Sequence, residues 1–257
     1  MIISTNVKAA NLTEEEYNRL RNVFSETRIS LMSDEDAARY LSYDLEHSNK
    51  VSKYYKVTET ANGTITTEVS KEEATNAANS NIATIGTLYT TSYKNIQITT
   101  SKITTNKYYV YLTNDWLITP KVKSYDVIAM RTDDATITSG SQIGTQLYTV
   151  NGVSSGVDYS YNGTNMVLSS NGFGISMNLV DAASGFTCDI EAIVTATSQW
   201  ATVYGSYQHA MTAVTLAKSK SYTISHNGYG KVINFATAVQ NDYDNMQGVS
   251  ISLGYTA

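Results

Sequence analysis

Cys188-Asp189-Ile190-Glu191-Ala192-Ile193-Val194-Thr195-Ala196 puts Cys188, Ile190, Ala192, Val194 and Ala196 on one side of an extended chain. Asp189, Glu191, Ile193 and Thr195 fall on the other side. Side chains alternate faces only in a strand, so this spacing reads as β. The same period recurs upstream, where Phe173, Ile175, Met177 and Leu179 alternate with Gly174, Ser176 and Asn178. Ile96 and Ile98 alternate with Asn95 and Gln97, Tyr108 to Leu112 is a continuous apolar run, and Ile251 and Leu253 mark a last strand. Ser139-Gly140, Asn151-Gly152, Asn162-Gly163, Asn171-Gly172 and Asn227-Gly228 punctuate these runs with turn chemistry. Many short alternating strands separated by such turns predict an antiparallel β-sandwich or barrel with one wet face.

Composition agrees. The 257 residues hold 34 Thr, 28 Ser and 21 Asn, and 20 of the 26 aromatic residues are Tyr. Hydroxyl-rich, β-branched sequence suits half-exposed sheets. A net charge of −5 without a basic stripe argues against nucleic acid. Cys188 is the only cysteine, so no internal disulfide forms. That usage fits a bacterial surface protein, a virion protein or a cytosolic one. No run approaches the ~18 apolar residues of a membrane helix, so no stable membrane span is expected. MIISTNVKAANLTEEE lacks the charged and apolar regions of a signal peptide, which leaves two alternatives: no export by that route, or a mature segment behind an added Met1.

Residues 1–80 differ from the rest. Thr13 and Glu16 form a capping box, with Leu12 and Tyr17 as a hydrophobic staple, and Ser33 opens a second helix. The spacing predicts helices over about 14–24 and 34–46. Lys53–Glu59 and Thr64–Val69 flank Asn62-Gly63, a hairpin signal. Ser70 and Glu73 form another capping box, starting a short helix or turn through Asn76. The expected division is 1–80, helices plus a hairpin, and 81–257, a β-sandwich to which the first part is an appendage. Ala210 to Lys218 leans to strand on its Thr and Val content.

Several strings bear on chemistry. Gly152-Val153-Ser154-Ser155-Gly156 matches a nucleophile elbow, but no helix follows, so it reads as a loop. His47, His209 and His226 lack the close spacing of a zinc site. Asp189 and Glu191, roughly 7 Å apart on one strand face, have spacing permissive for a glycosidase pair but read as solvated carboxylates. Asp242 and Asp244 in Asn241-Asp-Tyr-Asp-Asn245 are a weak calcium candidate, because the run lacks the Gly and distal Glu of an EF-hand loop. No metal or cofactor is otherwise expected. Among the Tyr clusters, Tyr159 and Tyr161 share a strand face between two glycine-containing turns and are the candidate binding residues.

Asn11-Leu-Thr-Glu-Glu-Glu-Tyr-Asn-Arg-Leu20, Phe24-Ser-Glu26, Ile29–Met32, Lys53-Tyr-Tyr-Lys56, Trp116-Leu-Ile-Thr-Pro-Lys121 and Ser124-Tyr-Asp-Val-Ile128 together resemble exported, cell-surface proteins of Gram-positive bacteria. The resemblance covers about half the chain and implies secretion; no activity and no functional residue come with it. The expected function is therefore non-enzymatic: an extracellular binding or surface-interaction protein, its partner a protein or carbohydrate surface. A virion or filament structural protein, self-associating, is the alternative. A β-pore-forming toxin, inserting Ile96–Thr105 as part of a hairpin, is a third reading.

Overall fold

The computed structural model describes residues 10–60, 63–80, 90–225, 231–246 and 248–254. Strand accounts for 51% and helix for 16%, in antiparallel sheets that do not close into a barrel, so the fold is a β-sandwich.

The chain begins with three short helices, α1 (Glu14–Arg21), α2 (Glu26–Ser30) and α3 (Asp34–Leu41). Each starts where a hydroxyl side chain takes up an orphan N–H: Thr13, Ser25 and Ser33 accept from Glu16, Arg28 and Asp36. At Thr13 the box is reciprocal, because the Thr13 N–H donates to Glu16 Oε2 at 2.9 Å. Thr13→Ala is expected to lower stability by ~1 kcal/mol, read as a shifted urea midpoint at unchanged slope. The helix expected over 34–46 ends at Leu41, and β1 (Asp44–Thr60) follows. Leu45 is buried among the helices, as its spacing required, but from the start of that strand. The first helix likewise stops at Arg21, with Val23 and Phe24 buried from the turn after it.

β2 (Gly63–Val69) pairs with β1; Asn62 of the expected Asn62-Gly63 turn lies outside the described residues. In α4 (Lys71–Asn79) only half of the second capping box forms, Ser70 accepting from the Glu73 N–H at 3.0 Å. The following strands are β3 (Thr90–Lys102), β4 (Lys107–Ile118), β5 (Tyr125–Asp133), β6 (Ala135–Ile137), β7 (Ile143–Val150) and β8 (Val153–Tyr159). Then come β9 (Met166–Leu168), β10 (Gly172–Asn178), β11 (Gly185–Ala196) and β12 (Thr202–Gln208). Past β12, Ala210 to Lys218 does not form the expected strand. It runs as a loop into α5 (Leu216–Ser219), because Thr215 caps that turn by accepting from the Lys218 N–H. β13 (Tyr222–Ile224), β14 (Ile233–Phe235) and β15 (Val249–Ser252) complete the chain. Turn chemistry holds where it is described: Asn151 and Gly152, both at positive φ, join β7 to β8.

The large sheet runs β2-β1-β3-β4-β11-β7-β8, with β6 beside β11; the second runs β15-β12-β5-β10-β9; β13 and β14 form a small ribbon. Between the two main sheets lies the principal core, with Ile98, Leu112, Met130, Ile175, Ile190 and Val203 among its fully buried members. Gly205 permits that approach, since a Cβ there would stand 2.4 Å from a Leu112 methyl. The helices α1 to α3 cover the outer face of the large sheet over Tyr109 and Tyr111. The C-terminal ribbon covers the outer face of the second sheet over Val127, Ala129 and Tyr204. The large sheet crosses the boundary expected at residues 80 and 81, with β1 and β2 on its N-terminal side and β3 on the other.

Candidate functional site

An open groove of ≈ 570 Å³ lies where the C-terminal segment meets the edge strand β2. Gln208 at the end of β12, Asn234 in β14, Gln240 and Asn241 in a 3₁₀ turn, and Asn245 present amides to it. Thr64 from β2 and the exposed Lys231 add a hydroxyl and an ammonium. Phe235, half-buried, stacks on Tyr243 at 4.0 Å between ring centroids and 11° between planes. The Tyr243 hydroxyl donates to the Tyr125 carbonyl at 2.9 Å, which fixes that ring pair to the sandwich.

Behind the groove sits a buried ionic network. Asp244 reaches the floor, and its carboxylate is paired with Lys94, both side chains fully buried. The His209 N–H donates to Asp244 Oδ1 at 2.8 Å. His209 Nδ1 lies 3.0 Å from both oxygens of Asp126, which also accepts from the Ala210 N–H at 2.8 Å and from the Tyr207 hydroxyl. The Trp116 indole donates to Tyr207 at 3.0 Å and packs edge-on against His209. Lys94 lies over the Trp116 and Tyr207 rings, so the charge is held by a carboxylate and two aromatic faces. The result is a rigid floor whose acid is already neutralised.

A second network seals the helices onto the large sheet. Glu191 Oε2 accepts from the Tyr40 hydroxyl at 2.7 Å and the Tyr109 hydroxyl at 2.6 Å, and Oε1 from Arg39 at 3.3 Å. Burial first, then the Glu191 charge, pushes both phenols well above their ordinary range, which keeps them donors. Asp189 is fully buried beside the Arg28 guanidinium and the Tyr111 hydroxyl. Burial pushes its carboxyl up to about 7, with the Arg28 guanidinium opposing and Glu191 adding to the rise. The reading of Asp189 and Glu191 as solvated carboxylates is therefore corrected. Their strand face is polar because Arg28, Arg39 and Tyr40 cover it, not because water does.

The other sequence candidates fall as follows. Tyr159 and Tyr161 are half-buried against the principal core, not on a fully exposed face. Burial raises the Tyr159 hydroxyl, and the Tyr161 hydroxyl bonds Ser139 Oγ at 2.9 Å. Asp242 and Asp244 do not converge on one point: Asp244 is committed to Lys94, while Asp242 faces Thr212 at 3.3 Å and Lys218 at 3.6 Å. Among the described residues no cluster of three His, Cys, Asp or Glu has metal-binding geometry. Ser154 lies on β8, a strand and not the expected loop. His47 is exposed beside Asp44, and His226 lies outside the described residues. Cys188 is fully buried, and its thiol is pushed up by burial and then by Asp126. Among the described residues no helix is long and apolar enough to cross a membrane. No family model and no curated protein matches this chain.

Proposed function

We propose that the protein is a non-enzymatic extracellular binding protein that takes a neutral, polyhydroxylated ligand, a glycan, in the amide-lined groove. The observation that carries this reading is the groove's chemistry. Five amides supply donors and acceptors, four of them on exposed side chains, Phe235 offers a half-open ring, and the Lys94 ammonium neutralises the one acid on the floor. Such a surface matches sugar hydroxyls and the apolar face of a sugar ring better than a charged peptide or a phosphate. The non-enzymatic half is supported by where the reactive side chains lie. Cys188 is sealed in the core and Asp189 and Glu191 are sealed beneath helices, so none meets a ligand in the groove. Extracellular placement rests on the sequence resemblance to exported Gram-positive proteins.

The test is a screen of bacterial and host polysaccharides by array, followed by calorimetry. Asn241→Ala with Phe235→Ala should weaken the glycan at least tenfold, about 1.4 kcal/mol. Asn241→Ala alone should leave the melting temperature near that of the wild type, since Asn241 is exposed, whereas Phe235→Ala also gives up the stack on Tyr243, so affinities are compared per folded molecule. Absence of glycan binding, or binding indifferent to both changes, refutes the groove as the site.

A further inference from the structure

A second cleft of ≈ 200 Å³ opens between the α1–α2 junction and the outer face of the large sheet. Among the charges on its walls, Asp115 and Lys50 have no oppositely charged partner among the described residues. Asp115 on β4 accepts from the Thr187 hydroxyl at 2.6 Å, and no cation of the described residues lies within 4 Å of it. Burial raises its carboxyl above the ordinary range. Across the cleft, Lys50 on β1 has no carboxylate of the described residues within 4 Å, and partial burial lowers its ammonium. Arg21 stands at the rim, with Glu26 at 3.2 Å. Phe24 and Tyr111, 5.0 Å apart edge to face, form an apolar wall.

The sheet register keeps Asp115 and Lys50 apart. Lys50 lies opposite Thr99, and Thr99 opposite Tyr111, four residues before Asp115. Two strand gaps of ~4.8 Å and four residues of ~3.4 Å separate their backbones by about 17 Å. At that distance the two side chains do not pair, but a small ligand between them touches both. The volume is below the ~300–1,000 Å³ of sites for drug-sized ligands, which limits the occupant to a few heavy atoms.

We infer that this cleft binds a zwitterion of amino-acid size, its ammonium on Asp115, its carboxylate on Lys50 and Arg21, and its side chain against Phe24 and Tyr111. A charge without an opposite partner gains from one brought to it, most of all at the desolvated Asp115, and one ligand supplies both charges. The cleft lies on the outer face of the large sheet under the helices, with none of its lining shared with the glycan groove, so the two sites stand or fall separately.

Calorimetry with glycine, L-alanine, L-serine and L-threonine, each to ~10 mM, tests it. At least one should bind, while methylamine and acetate, carrying one charge each, bind at least tenfold more weakly. Asp115→Asn and Lys50→Met should each weaken the amino acid at least tenfold. Asn241→Ala should leave it unchanged. Lys50 is exposed, so its variant keeps the test readable if the Asp115 change disturbs folding. No zwitterion binding, equal binding of methylamine or acetate, or unchanged affinity in the folded Lys50 variant overturns the inference.

Discussion

Lys94→Met lowers the free energy of unfolding by about 3–5 kcal/mol, as expected when one partner of a buried ion pair is removed. The substitution leaves Asp244 in the core with the His209 N–H at 2.8 Å and the Thr66 hydroxyl at 3.4 Å, and no cation. Methionine matches the length of the lysine stem, so the loss comes from the stranded charge and not from a cavity. Against a typical total of about 5–15 kcal/mol, the fraction lost is large. The double change Lys94→Met with Asp244→Asn removes both charges and should regain more than half of it. Urea unfolding at pH 7 of both single variants and the double measures the coupling. A single-variant loss under about 1 kcal/mol, or a double variant no better than the single, would show that the pair is not what holds the groove floor in place.

Asp189→Asn should stabilise the folded protein relative to the wild type, by an amount that grows between about pH 4 and 7. In the folded protein burial pushes this carboxyl up to about 7, against 3.8 for the free side chain. Below pH ~4 both folded and unfolded chains hold the proton, and the carboxyl contributes no difference. Between about pH 4 and 7 the unfolded chain releases it while the folded chain retains it, so the folded state loses up to about 4 kcal/mol. Above pH ~7 both are ionised and the loss is complete. Asparagine does not titrate, so the variant should gain on the wild type steadily from pH 4.5 to 7 and hold that lead to pH 8.5. Thermal melts across that range report it. A difference in melting temperature that stays constant with pH contradicts the assignment.

The sandwich was legible because its strands repeat with period two and its helix starts carry hydroxyl caps. Cys188, Ile190, Ala192, Val194 and Ala196 all entered the core as their alternation required. The alternation fails as a guide to what covers the other face. Asp189 and Glu191 look like solvent-facing residues in any one-strand reading, and only the distant Arg28, Arg39 and Tyr40 make them buried. The groove floor did leave a trace. Lys94 stands in phase with Ile96 and Ile98, and Asp126 in phase with Ile128, a charge on a core-facing register in each case. Such a charge needs a buried partner, but nothing local names Asp244 for Lys94 or His209 for Asp126, since these pairs span 150 and 83 residues. Asn234, Gln240, Asn241 and Asn245 read as ordinary loop polarity, because a groove is a property of packing and not of spacing.

The bond between Tyr40 and Glu191 joins residues 151 positions apart, and that between Arg39 and Glu191 spans 152. A ribosome releases the three helices before β4 exists, so their buried face waits first for Tyr109 and Tyr111 and then, for its polar seal, for Glu191 on β11. Folds that depend on such distant closures assemble slowly, on the scale of milliseconds to seconds. The helices thus meet their apolar cover on β4 before Glu191 on β11 can lock them, and until β4 is in place Phe24 and Tyr40 remain available to a chaperone or to another nascent chain.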